Sequence, residues 1–119
     1  MHEMGIADAI LKMVDRIKQQ EHAAAVRSIT LEVGDLSGIV PYFLAECWEA
    51  VAAGTEYQTA RLHIHPVPAT ARCEDCKKIF VVDAADLRCP DCKSNKLTPL
   101  SGKDLTIAEI EVCDAEEEP

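Results

Sequence analysis

Apolar residues recur at three- and four-residue spacing through the first segment: Ile6, Ile10, Met13, Val14 and Ile17, with Ala7 and Leu11 widening the stripe. That period predicts an amphipathic helix, with Asp8, Lys12, Asp15, Arg16 and Lys18 on its other face. Glu3 and Asp8 near its start and Lys18 near its end suit the helix macrodipole. The pattern fades between Gln20 and His22. From Val26 the period drops to two: Ile29, Leu31 and Val33 alternate with Ser28, Thr30 and Glu32, a strand ended by Gly34-Asp35. Pro41 opens a second helix, where its missing N–H costs nothing. Phe43, Leu44, Cys47, Trp48 and Val51 form the apolar face of that helix, and Gly54 stops it. Alternation resumes from Tyr57 to Val67, with Leu62 and Ile64 set against Arg61, His63 and His65. Pro66 and Pro68 close this strand and mark an edge. After a cysteine-bearing stretch, Leu97, Leu100, Leu105, Ile107, Ile110 and Val112 predict a last strand. Its apolar phase passes from odd to even positions between Ile107 and Ile110, and a bulge near Ala108-Glu109 keeps both pairs on one face.

The expected fold is α+β: two helices packed on a small mixed three-stranded sheet, with a cysteine module inserted before the last strand. Residues 1–70 and 97–113 form the expected α/β domain, 71–96 the inserted ribbon, and 114–119 an acidic disordered tail. The length of 119 residues allows one domain, or one domain plus a small module. At 48% apolar and 28% charged residues, wholesale disorder is excluded. Twelve Lys and Arg against 21 Asp and Glu give a net charge of −9. Such a chain is a poor generic binder of nucleic acid or of an anionic membrane, and a plausible handler of cations. No apolar run approaches the ~20 residues of a membrane span, and His2, Glu3 and Asp8 interrupt any signal-peptide core. A cytoplasmic location is therefore expected. Thiols stay reduced there, so the six cysteines need a reason other than disulfides.

Four of them supply one. Cys73-Glu-Asp-Cys76 and Cys89-Pro-Asp-Cys92 place two thiolate pairs in tight turns, enough to complete a tetrahedron around one ion. Between them stand only Ile79, Phe80, Val81, Val82 and Leu87 as large apolar residues. That is too little for a core, so the metal must supply the folding energy. Four sulfur ligands suit structural Zn²⁺ and leave no open position for substrate water; a rubredoxin-like iron takes the same set. A redox Cys-x-x-Cys would open a helix in a thioredoxin-like unit, and two pairs in a short ribbon fit that poorly. Lys77, Lys78, Arg88, Lys93 and Lys96 are interspersed with five acidic residues, so no basic recognition surface is evident.

The N-terminus offers a second donor set. In Met1-His2-Glu3 the imidazole of His2 stands beside the α-amine and the first amides. Short chelate rings from amine, deprotonated amides and imidazole make a planar nitrogen-rich set suited to Ni²⁺ or Cu²⁺. A helix beginning here leaves its first amides without intrahelical acceptors. Spacing alone carries little weight, because a histidine at a chain terminus is most often simply exposed.

Met1-His2-Glu3 before an apolar helix, Val33-Gly34-Asp35-Leu36-Ser37-Gly38 before Pro41, Gly54-Thr55 leading into a strand, and the four-cysteine ribbon followed by Gly102-Lys-Asp-Leu105-Thr-Ile107 together resemble the HypA/HybF family of hydrogenase nickel-incorporation proteins. The likeness runs in order from Met1 to Val112. It implies a nickel metallochaperone rather than an enzyme. Such a protein passes Ni²⁺ to the [NiFe]-hydrogenase large-subunit precursor with a HypB-type maturation GTPase or ATPase; some relatives also serve urease maturation proteins. It implies nickel ligands at Met1, His2 and the backbone around Glu3, structural zinc on Cys73, Cys76, Cys89 and Cys92, and a monomer or homodimer. Tyr42 departs from the acidic residue the family often carries after the proline. Where some relatives have a histidine beside the ribbon cysteines, Lys77, Lys78, Lys93 and Ser94 stand here.

His63 and His65 share a strand face that reads as polar and solvated, and His22 reads as the neighbour of a helix C-terminus. Cys47 reads as a small buried hydrophobe and Cys113, bordering the acidic end, as exposed. No Ser/His/Asp set, phosphate loop or carboxylate pair is visible, so any nucleotide-driven step belongs to a partner. The competing reading is a zinc-ribbon adaptor without nickel transfer, but nucleic-acid versions need a basic stripe or stacking aromatics that this chain lacks.

Overall fold

The computed structural model describes residues 3–83 and 85–114; Met1, His2 and the 115–119 part of the expected tail lie outside them. The elements run α1 (Glu3–Glu21), β1 (Ala25–Gly34), α2 (Pro41–Ala52), β2 (Arg61–Val67), β3 (Thr70–Cys73), β4 (Ile79–Val81), β5 (Leu97–Ser101) and β6 (Leu105–Cys113). They build two three-stranded sheets, ordered β2-β1-β6 and β4-β3-β5. The chain divides into two compact units. One takes the described residues of Met1–Leu31, Val40–His65 and Ile107–Pro119; the other takes Glu32–Ile39 and Pro66–Thr106. The second unit thus contains the described residues of 71–96 and adds the end of β1 with the loop after it (32–39) and the segments on either side.

In the first unit α1 packs against α2. Ala7, Ile10 and Val14 are the residues α1 buries, and Leu44, Trp48 and Ala52 those of α2. Met13, placed on the apolar stripe by its spacing, is 47% exposed. The buried stripe is narrower, made by Ala7, Ile10 and Val14 alone. α1 ends with His22 at positive φ (54°), its N–H bonded to Gln19 O (3.2 Å) and the Ala23 N–H to Lys18 O (3.2 Å). That is a Schellman stop, with histidine where glycine is commoner.

Ile29 and Leu31 are fully buried on β1, as their alternation requires. Ala24 N–H donates to Cys113 O, and Gly34 N–H to Asp104 O, so β6 runs antiparallel to β1. β2 returns through α2: Arg61 and His63 line a surface cavity with Val26 and Ser28, while Asp35 N–H reaches Val67 O. Both ends match only if β2 is parallel to β1, which makes the sheet mixed. Along β6, Ala108 and Glu109 are both exposed, whereas Leu105, Ile107, Ile110 and Val112 are all half-buried.

Three further expectations change. The strand expected from Tyr57 begins only at Arg61. Residues 55–60 form turns (Gln58 N–H to Thr55 O, Ala60 N–H to Tyr57 O) that drop the Tyr57 ring into the core. The single strand expected from Leu97 to Val112 is two strands in two sheets, broken where Gly102 turns at φ 78°. Cys113 is buried, not exposed, because β6 continues through it; its Sγ lies 3.9 Å from Ala25 O.

The Tyr57 hydroxyl donates to Asp15 Oδ1. Burial, that hydrogen bond and the nearby Glu56 carboxylate hold the phenol protonated well above its ordinary range. A phenol whose pKa rises on folding adds stability that is complete below the unfolded value of about 10 and is lost as pH climbs past it. Tyr57→Phe is expected to cost about 1–2 kcal/mol at pH 8. It should also flatten the decline in stability above pH 10, as read by denaturant unfolding at both pH values.

Candidate metal centre

The ribbon is built from two copies of one turn. Cys73-Glu-Asp-Cys-Lys-Lys78 and Cys89-Pro-Asp-Cys-Lys-Ser94 carry Cys, Asp, Cys and Lys at the same offsets. In the first, Lys77 N–H donates to Cys73 O (2.8 Å) and Cys73 N–H to Lys78 O (2.8 Å). In the second, Lys93 N–H donates to Cys89 O (3.0 Å) and Cys89 N–H to Ser94 O (2.8 Å). Both lysines take the left-handed conformation, φ 67° and 63°, which lets the chain reverse immediately after each second cysteine. The turns also clasp each other. Lys78 Nζ pairs with Asp91 (3.1 Å), and Ser94 Oγ donates to Asp75 Oδ2 (2.5 Å). In each clasp the residue after one turn's lysine holds the aspartate of the other turn.

This arrangement brings the four sulfurs together. Cys73 and Cys92 Sγ lie 3.5 Å apart, Cys76 and Cys89 Sγ 3.6 Å, and all four within 4.8 Å. Ideal Zn–S bonds of ~2.3 Å set a tetrahedral S···S edge of about 3.8 Å. The donor set therefore fits a tetrahedral ion with little adjustment. Cys73 and Cys89 are buried; Cys76 and Cys92 are exposed. The backbone N–H of Cys76 points at Cys73 Sγ (3.5 Å) and pulls that thiol's pKa down against its burial. The Cys92 N–H does the same for Cys89, lowering it to about 7. Around the other two sulfurs, the Lys78 and Ser94 N–H groups favour thiolate, but neighbouring sulfurs and burial outweigh them. Cys76 is raised and Cys92 pushed up to about 12. Two thiolates form readily and the second two need a cation beside them.

Around the centre, Glu74 is held by Thr98 Oγ1 (2.5 Å), Arg72 Nε (3.2 Å) and Lys77 Nζ (3.4 Å). The Thr98 hydroxyl first, then the two cations, lower its pKa to about 2. Of the basic residues in this segment, Lys77, Lys78 and Arg88 are ion-paired with Glu74, Asp91 and Asp86. Each of these cations thus has a carboxylate beside it. The Asp75 and Asp91 clasp was not singled out from sequence, although the repeated Cys-x-Asp-Cys-Lys was there to find it.

Of the N-terminal set, Met1 and His2 lie outside the described residues. Glu3 is the first residue of α1, and its Oε2 accepts the Val40 N–H (3.1 Å) at the start of α2. His63 and His65 are exposed on β2. Among the described residues, the four cysteines are the one group of three or more clustered metal-ligating side chains.

The fold and this centre define a small α+β metal-binding protein. Residues 1–112 match the family described as "Hydrogenase/urease nickel incorporation, metallochaperone, hypA". The chain is 41% identical over 118 residues to the hydrogenase maturation factor HypA of Desulfatibacillum aliphaticivorans, covering 98% of this chain and 91% of that one. It is 39% identical over 112 residues to that of Streptomyces avermitilis, covering 92% and 86%. Its fold is similar to the solution structure of the Ni metallochaperone HypA from Helicobacter pylori, with a TM-score of 0.68 at 18% identity, covering 96% and 99%. The chain belongs to the HypA family of nickel-incorporation metallochaperones.

Proposed function

We propose that the chain binds Ni²⁺ at its N-terminus and delivers it to the [NiFe]-hydrogenase large-subunit precursor in the cytoplasm, together with a HypB-type GTPase or ATPase. The observation that carries this reading is the family match, which begins at residue 1 and runs through Met1-His2-Glu3 and the four-cysteine ribbon to residue 112. The relatives' name, hydrogenase maturation factor, supports hydrogenase as the destination. Zn²⁺ on Cys73, Cys76, Cys89 and Cys92 is the structural ion, because four thiolates close its coordination sphere and leave nickel to bind elsewhere.

For nickel, the Met1 amine, the first backbone amides and the His2 imidazole supply the ligands. Nickel is the cargo, so its site must open as well as close. Amine and imidazole must each shed a proton before binding, so affinity rises with pH and binding releases protons. The Glu3 carboxylate, engaged with the Val40 N–H, contributes position and charge more than a bond.

The test is Ni²⁺ titration of untagged, zinc-loaded protein. His2→Ala is expected to weaken binding by about 100-fold or more, near 2.7 kcal/mol, without unfolding, since His2 precedes the first apolar helix position. A Gly-Ser extension should do nearly the same by moving the amine away from the imidazole. Equal affinity in the extended protein overturns the amine-plus-His2 site. Absence of stoichiometric binding in the native protein favours the adaptor reading.

A further inference from the structure

His63 and His65 lie on β2, an outer strand of the β2-β1-β6 sheet. Exposure alternates along this strand: Arg61, His63 and His65 are exposed, while Leu62 and Ile64 are half-buried. The pleat therefore sets both imidazoles on one face, with Ile64 turned to the other. Among the described residues, neither imidazole makes a hydrogen bond or an ion pair. The backbone beneath them is fixed. β2 is hydrogen-bonded to β1, and Pro66 follows His65 directly, which confines His65 to extended backbone. Two unengaged imidazoles thus project side by side from a rigid strand.

We infer that His63 and His65 form a two-imidazole site for a divalent transition-metal ion. Residues two apart on a strand are separated by about 6.6 Å. Metal–nitrogen bonds of ~2.0–2.1 Å set two ligating nitrogens about 3 Å apart. Each ring therefore leans toward the other by about 2 Å, which staggered rotamers allow. Imidazole suits Zn²⁺, Ni²⁺ and Cu²⁺, whereas Mg²⁺ and Ca²⁺ take oxygen ligands. A net charge of −9 favours a cation at the surface. Arg61 is the local exception, because it shares the histidine face two positions before His63. An ion between His63 and His65 lies on the far side of His63 from that guanidinium. Two protein ligands leave the other coordination positions to water, so the ion is held weakly and exchanges readily. The four-thiolate centre is the opposite case, with its coordination closed. The two-histidine site uses neither the cysteines nor the N-terminal residues, and it stands independently of the nickel reading.

The test is titration of the zinc-loaded protein with further Zn²⁺, a diamagnetic probe, followed by the imidazole NMR signals of His22, His63 and His65. His63 and His65 should shift together, with one midpoint, while the exposed His22 stays unmoved at the same concentrations. His63→Gln and His65→Gln should each shift the midpoint of the remaining histidine upward about tenfold or more, because a single imidazole forms no chelate. Arg61→Gln should lower the native midpoint about twofold by removing a charge that opposes the ion. All three substituted positions are exposed, and unchanged Ile29 and Leu31 amide signals report that each variant is folded. Separate midpoints for His63 and His65 overturn the inference. So does a response that His22 shares at equal concentration, or a midpoint indifferent to the loss of either histidine.

Discussion

Stripping the metal from the four-cysteine centre should unfold the second unit and leave the first folded. The second unit's buried cluster is Ala69, Ala71 and Val82, with Leu36, Phe80 and Leu97 partly buried against it. Two alanines and a valine release little free energy on burial, and ordering costs roughly 1.5 kcal/mol per residue. A structural zinc ion contributes about 10–16 kcal/mol at neutral pH, a large addition to so small a core. The first unit buries Ile10, Val14, Ile29, Leu31, Leu44, Trp48 and Tyr57 and needs no ion. Chelation should therefore collapse amide-exchange protection at Ala71 and Val82 while Ile29 and Leu31 stay protected. Acid should act in the same direction. Protons compete with the ion for the sulfurs, and Cys76 and Cys92, whose pKa values are raised, take them up first as the pH falls, ahead of Cys89, held at about 7. Full-strength zinc retention in Cys73→Ser/Cys92→Ser would defeat the assignment of the centre.

Gly34→Ala and Gly102→Ala should each be among the most damaging single substitutions. A Cβ at Gly34 would sit 2.1 Å from Gly102 O, and one at Gly102 would sit 2.4 Å from Ala69 Cα. Both obstructions are backbone, so no side chain can swing aside. Gly102 also holds φ 78°, a conformation costly for alanine. Three main-chain bonds cross this junction: Gly34 N–H to Asp104 O (2.9 Å), Asp35 N–H to Val67 O (2.9 Å) and Leu36 N–H to Gly102 O (2.8 Å). Displacing the strands breaks all of them. A loss of about 4 kcal/mol or more is expected for each variant, or failure to accumulate folded protein. Gly38→Ala is the control. Its φ is also positive (80°), but nothing lies within 4 Å of its Cβ position, so it should lose only about 1 kcal/mol. Denaturant midpoints of the three variants check the order.

α1, β1 and α2 were legible because each is long enough for its period to show, and because Pro41 and Gly54 punctuate α2. The half-buried set on β6 was legible as a slip of phase at Ala108-Glu109. The second sheet was not. β3 is Thr-Ala-Arg-Cys and β4 is Ile-Phe-Val, too short for alternation to be counted. Their pairing is imposed by the cysteine turns rather than by propensity. Leu97 and Leu100 looked continuous with β6 because a turn at a single glycine interrupts no apolar run. Tyr57 was misplaced for a related reason: the alternation of 57–67 does not distinguish a strand residue from a buried turn residue. At the metal centre the ligands were plain from spacing. The Asp75 and Asp91 clasps were less so, since their partners, Ser94 and Lys78, lie far away in sequence. The resemblance had paired Val33–Gly38 with Gly102–Ile107 only as motifs in order; the structure makes them one backbone junction.

The four sulfurs of the centre are not equivalent. Each turn turns one of them toward water, Cys76 in the first and Cys92 in the second, and keeps the other, Cys73 or Cys89, covered. The covered pair is also the pair whose sulfurs receive the backbone N–H groups of the opposite cysteine in the turn. A held ion would thus have a guarded side and an approachable one. A competing chelator or an oxidant would arrive at Cys76 and Cys92, one strand of each turn at a time, and the guarded thiolates would be the last to let go. Exchange of the ion then becomes a stepwise, ordered event whose speed is set at the two open sulfurs, while the thermodynamic hold is set at the two closed ones.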